Sequence, residues 1–198
     1  NKSMYKYLFF VIVLNIPLNI SSQKINEAYF ASGCFWCVES IYENLKGVID
    51  VESGYSGGKT LNPTYYQVMT EKTGHAEAIK VLYDPQIIDF ETLVKVFFGS
   101  HDPSTLNRQG PDKGTQYRSI AFFKTNNEKK IIETEVKRLL ENKKYKKITT
   151  EILAFEKFYK AEEYHQDYKK NNPNDIYILR VSNPRISKFK MDFKDIIK

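Results

Sequence analysis

Between Ala28 and Phe123 the hydrophobic period switches from two residues to about 3.6 and back, and does so twice. No other feature limits the folds open to this chain as much. Ala28 to Ala31 reads as a short strand ending at Ser32-Gly33. Phe35, Val38, Ile41, Tyr42 and Leu45 then recur at helical spacing, with Gly47 as the stop signal. Val48 to Tyr55 alternates as a strand does, and Gly54, Gly57, Gly58 and Pro63 open a long loop. Glu77 to Tyr83 is the next strand, Phe90, Leu93, Val94, Phe97 and Phe98 form a second helical stripe, and Arg118 to Phe123 is a strand again. Strand, helix, strand, strand, helix, strand predicts an α+β fold, the ferredoxin-like split βαβ two-layer sandwich. Additional C-terminal elements follow: a helix over Glu128 to Leu140, a strand over Ile148 to Phe155 and a helical segment over Ala161 to Lys170.

The 198 residues suffice for one core without disulfide staples or structural metal. Fourteen Tyr and thirteen Phe exclude wholesale disorder. A mean hydropathy of -0.49 excludes a multi-spanning membrane protein. The net charge of +6 permits nucleic-acid binding, and Lys124 to Lys147 holds nine Lys/Arg against four Glu. No base-reading module accompanies that run, so it reads as a solvated helix face and no nucleic-acid partner is expected. Residues 1–22 differ from the rest. Lys2 and Lys6 precede an apolar run from Tyr7 to Leu14, a basic start and short apolar stretch that resemble a secretory signal peptide. Asn15, Pro17 and Asn19 interrupt the run well short of the ~20 apolar residues of a spanning helix. The expectation is a signal peptide over 1–22, or a membrane anchor if it is not cleaved. A single domain over 23–198 would then be exported, periplasmic or secreted, and monomeric.

Only two cysteines occur, Cys34 and Cys37, too few for a four-cysteine zinc site. His75, His101 and His165 are scattered, and no metal site is expected. Cys34 stands at a strand-to-helix junction, where unsatisfied backbone N–H groups favour an anion, so the position is expected to lower its thiol pKa. Cys37 follows one helical turn later on the same face. Residue chemistry alone leaves three readings: an inert disulfide, a thioredoxin-like C-x-x-C centre, or a nucleophile whose sulfenic acid the second thiol resolves. The bulky Phe35 and Trp36 between the cysteines argue against the thioredoxin-like reading, because they would wall an apolar pocket beside the sulfur.

Gly33-Cys34-Phe35-Trp36-Cys37-Val38-Glu39 resembles the signature of the A-class peptide methionine sulfoxide reductases. The resemblance continues through Ser53 to Gly58, Asn62-Pro63-Thr64-Tyr65, Thr73 to Glu77, His101-Asp102-Pro103, Asp112 to Ser119 and Ala161 to Tyr168, covering roughly residues 28–172. It implies reduction of methionine S-sulfoxide, free or in oxidised proteins and peptides. Cys34 is then the nucleophile that attacks the sulfoxide and becomes a sulfenic acid. Glu77, Tyr65 and Tyr117 serve the departing oxygen, and Glu77 is expected to be partly buried with a raised pKa so that it can act as an acid. Phe35 and Trp36 receive the S-methyl group, and Asp112, His165 and Tyr168 build the polar side of the substrate pocket. His165 and Tyr168, three apart, are expected to share a helix face; Glu39 reads as a first-turn stabiliser. Many relatives carry resolving cysteines in the C-terminal tail, and this tail has none. The resolving role therefore falls to Cys37, with a Cys34–Cys37 disulfide recycled by thioredoxin or a similar dithiol donor and no bound cofactor. A general thiol–disulfide oxidoreductase using the same pair is the alternative.

Overall fold

The computed structural model describes residues 24–198; the segment read as a signal peptide lies outside them. In chain order the elements are β1 (Asn26–Ser32), α1 (Phe35–Glu43), β2 (Val48–Ser56), α2 (Tyr65–Met69), β3 (Ala76–Tyr83), α3 (Phe90–Gly99), β4 (Arg108–Gln109), β5 (Asp112–Lys113), β6 (Ser119–Phe123), α4 (Asn126–Glu141), β7 (Glu151–Ala154), β8 (Phe158–Lys160), α5 (Tyr168–Asn171) and α6 (Asn183–Asp192). The main sheet is ordered β7-β6-β1-β3-β2-β8. Its inner four strands are all antiparallel, with Phe30 of β1 opposite Ile79 on one side and Ala121 on the other. With α1 and α3 as crossovers, these strands form the expected split βαβ sandwich. β7 extends the sheet parallel to β6, and β8 extends it antiparallel to β2.

The apolar stripes of α1 and α3 close onto one sheet face. Phe30, Ile41, Tyr42, Leu45, Ile79, Leu93 and Phe97 are fully buried there. Each such side chain contributes about 1.5–3 kcal/mol by leaving water. The C-terminal segment joins the same core through Ile186 and Phe189. β8 can lie against β2 because Gly54 has no side chain: a Cβ there would stand 2.3 Å from Phe158 and 2.4 Å from the Tyr159 carbonyl. Among the described residues no helix is long and apolar enough to cross a membrane.

Three local readings need correction. The long loop after β2 contains α2, whose Thr64 and Gln67 form a reciprocal capping box, a signal present in the sequence. The seventh strand starts at Glu151 and not at Ile148, because Thr149 donates its N–H to the Pro103 carbonyl at 2.8 Å. Ala161 to Lys170 is not one helix. A 3-10 turn over Glu163–His165 is separated from α5 by Asp167, whose φ of 51° and ψ of 26° are left-handed. His165 and Tyr168 therefore share no helix face.

Candidate active site

Gly33 turns β1 into α1 with a φ of +88°, a conformation that favours glycine. The turn leaves Cys34 as the N-cap of α1, its side chain making no capping bond. The first orphan N–H of the helix goes elsewhere: Phe35 N–H donates to Glu77 Oε2 at 3.0 Å. Glu77 comes from β3, opposite Tyr55, and is 2 % exposed. Burial pushes its pKa up to about 8, against the opposing effect of the Phe35 N–H. At neutral pH most of the carboxyl is protonated, as an acid requires.

Cys34 and Cys37 are both free thiols. They share a hydrogen bond across one helical turn. Burial, the bond to Cys37 and the nearby Glu77 all push the Cys34 thiol up. This reverses the expected lowering: Glu77 occupies the helix start that would have seated a thiolate, and the Cys34 residue is only 6 % exposed. Cys37 is the more acidic partner. Its bond from Cys34, the Arg185 guanidinium and Ser182 hold it below the usual thiol range, although burial opposes them. Of the two thiols, Cys37 is therefore the readier to ionise.

A cavity of about 360 Å³ opens over Cys34. Its lining includes Phe35, Trp36, Tyr65, Glu77, Asp112, Tyr117 and Tyr168, all expected there, and also Asp175 and Tyr177. Trp36 forms one wall. Tyr168 stacks on it at 3.7 Å and 8°, and Trp36 Nε1–H donates to His165 Nδ1 at 3.1 Å. His165 does not line the cavity: it is buried behind the wall, against Phe35 and Tyr65. Burial lowers its pKa, keeping the ring neutral and able to accept from Trp36.

The opposite side is polar. Burial, followed by the proximity of Glu77, raises the phenols of Tyr65, to about 12, and of Tyr117, so both remain donors. Tyr177 O–H donates to Asp112 Oδ2 at 2.5 Å and also reaches Cys34. Glu162 fixes Tyr65 by accepting its backbone N–H at 2.9 Å and the Tyr55 hydroxyl at 2.9 Å. Glu39 is not the expected first-turn stabiliser. It sits one residue beyond that turn, is 2 % exposed, and has its pKa raised to about 8 by burial while accepting from the Asp167 backbone. That bond steadies the left-handed turn that delivers Tyr168 to Trp36. The other two histidines hold loops. His75 bonds the Gly58 N–H and the Thr60 carbonyl, and His101 bonds the Phe97 carbonyl and Ser119. Among the described residues no group of three His, Cys, Asp or Glu side chains converges as a metal site would.

Tyr177, Ser182 and Arg185 are functional-site residues that sequence reasoning missed. They lie in a segment that runs from Tyr177, just before a π-helical turn over Ile178–Ser182, into α6. Ser182 Oγ stands 2.9 Å from Cys37 Sγ. Arg185 clamps the segment to the end of β1 and to α3, donating to the Ser32 carbonyl at 3.0 Å and to the Ser100 carbonyl at 2.8 Å. No periodicity marks these positions, and only the fold brings them to the cysteines.

A family model described as "Peptide methionine sulfoxide reductase" matches residues 26–196. The peptide methionine sulfoxide reductase MsrA of Sulfolobus acidocaldarius is 46% identical over 168 residues, covering 85% of this chain and 95% of that protein. The reduced form of Mxr1 from Saccharomyces cerevisiae superposes with a TM-score of 0.72 at 36% identity, covering 77% of this chain and 88% of its own. Mxr1 in complex with Trx2 superposes at 0.53 and 27% identity, covering 73% and 85%.

Proposed function

The chain belongs to the peptide methionine sulfoxide reductase family, and from that premise we propose that it reduces methionine S-sulfoxide, free or in oxidised proteins and peptides, to methionine. One observation carries the reading: a buried thiol, a buried carboxyl and two phenol donors face one cavity whose other wall is Phe35 and Trp36. A sulfoxide seated there points its methyl at the aromatic wall, its oxygen at Glu77, Tyr65 and Tyr117, and its sulfur at Cys34. Three fixed directions at a pyramidal sulfur admit one epimer with the rest of the residue leaving through the mouth. Resemblance to the family gives that epimer as S.

The protons balance within the site. The Cys34 proton crosses the shared hydrogen bond to the Cys37 thiolate. The Cys34 thiolate attacks the sulfoxide sulfur, Glu77 protonates the oxygen, and the oxygen is transferred to Cys34. The products are methionine, the Cys34 sulfenic acid and the Glu77 carboxylate. The Cys37 thiol then attacks Cys34, forming the disulfide and releasing water. The site supplies two electrons, one from each sulfur. A thioredoxin-like dithiol donor restores them, as the Mxr1 complex with Trx2 supports.

Purified protein, a dithiol donor and both epimers of a methionine sulfoxide peptide provide the test. Turnover of the S epimer alone is expected. Cys34→Ser abolishes it, whereas Cys37→Ser reduces about one equivalent and stalls with thioredoxin. Disulfide exchange on insulin that outpaces sulfoxide turnover would instead identify a general thiol–disulfide oxidoreductase. The basic start and short apolar run of residues 1–22 support export, with a membrane anchor if uncleaved. Cell fractionation with N-terminal sequencing of the mature protein tests this.

A further inference from the structure

We infer that the C-terminal segment makes Cys37 the leaving group of the recycling step, so that the donor's thiolate attacks Cys34 through the vacated substrate cavity. This rests on the proposed Cys34–Cys37 disulfide. Three observations carry it. The first is access: Cys34 lines the cavity, whereas Cys37 is 1 % exposed and does not. The second is cover. Ser182, itself fully buried, stands 2.9 Å from Cys37 Sγ. The third is charge: Arg185, anchored on the Ser32 and Ser100 carbonyls, acts on Cys37 from the same segment.

Thiol–disulfide exchange needs an approach to the attacked sulfur and runs faster when the expelled thiol is the more acidic. Both requirements select the same direction. The donor thiolate forms a bond to Cys34 Sγ as the Cys34–Cys37 bond breaks, and the electron pair leaves on Cys37. The Ser182 hydroxyl donates to the new thiolate. The donor's second thiol then attacks its own sulfur in the mixed disulfide, expels Cys34 as a thiolate and leaves the donor oxidised. Each exchange exchanges one sulfur–sulfur bond for another and needs no further reductant.

The experiment oxidises the full chain with one equivalent of methionine sulfoxide, verifies the disulfide by mass, and adds a thioredoxin lacking its second cysteine. After alkylation, chymotryptic cleavage following Phe35 or Trp36 separates the two cysteines. Donor on Cys34 with alkylated Cys37 is expected; donor on Cys37 overturns the inference. If no Cys34–Cys37 disulfide forms at all, the resolving role of Cys37 fails first and this inference falls with it. A second arm uses Ser182→Ala. Losing a hydrogen bond to a thiolate is expected to slow donor reduction of the preformed disulfide about tenfold. It should also raise the midpoint pH of the 240 nm thiolate absorbance. An unchanged rate and midpoint in the folded variant would remove Ser182 from the step.

Discussion

The Glu77 carboxyl accepts the backbone N–H of Phe35 at 3.0 Å, so the acid sits on the first turn of the helix that carries the nucleophile. That bond fixes the oxygen-protonating group beside Cys34 while burial keeps it neutral. Glu77→Gln retains an acceptor for Phe35 but has no proton to give. We expect kcat/KM to fall about 10²–10³-fold with Tm little changed. In the wild type the rate of sulfoxide reduction should decline as pH rises through about 8, where Glu77 ionises. The variant should lack that limb. Trp36, the only tryptophan, gives a stopped-flow fluorescence signal for the measurement.

The raised carboxyls also act on stability. Glu77 and Glu39 both have pKa values raised from 4.5 to about 8, so the fold holds protons that the unfolded chain releases. Their stabilising contribution is complete below 4.5 and is lost as pH rises toward 8. Each of these two carboxyls therefore contributes a downward slope of up to about 1.4 kcal/mol per pH unit between these limits. Thermal melts of Glu39→Gln and Glu77→Gln across pH should each show a shallower slope than the wild type.

Tyr177→Phe removes the hydroxyl that bonds Asp112 and reaches Cys34 while keeping the ring at the edge of Trp36. Without that donor the Asp112 carboxyl, already raised by burial, moves up further. A fall in kcat/KM of about tenfold is expected, the effect of one lost hydrogen bond to a charged group. Steady-state kinetics with a peptide substrate checks it.

Trp36→Phe keeps an aromatic face for Tyr168 and loses the donor to His165 Nδ1. The wall loosens and a buried acceptor is orphaned, costing about 1–3 kcal/mol. KM for the sulfoxide should rise about 3–10-fold, with kcat less affected. In a double-mutant cycle with His165→Ala the two effects should be strongly non-additive.

Gly54→Ala tests the edge of the sheet. A Cβ 2.3 Å from the Phe158 ring must displace β8 from β2. Overpacking of this kind costs about 1–3 kcal/mol, which lowers Tm by several degrees. Differential scanning calorimetry measures it.

The split βαβ order was legible because β1, α1, β2, β3, α3 and β6 each bury one regular face, and burial writes its period into the chain. The cavity was legible where residues lie in contiguous motif blocks, as Cys34, Trp36, Glu77 and Tyr117 do. His165 was assigned to the pocket but supports its wall, because a left-handed Asp167 breaks the helix that the spacing implied. The acidity order of the two thiols was not legible: the Cys34–Cys37 bond is set by packing, and Ser182 and Arg185 arrive from the far end of the chain. Tyr177 was invisible for the same reason. Its role depends on a π-helical segment that carries no periodic signal.

The two thiols stand one turn apart on α1, and the C-terminal segment over them is clamped by Arg185 and seated by Phe189. Closing the disulfide thus requires side-chain rotation and no rearrangement of a distant loop. The internal chemistry is then insensitive to solvent viscosity. Only substrate entry and the exchange with the donor then depend on encounter, so the recycling rate rises with how much reduced donor is present.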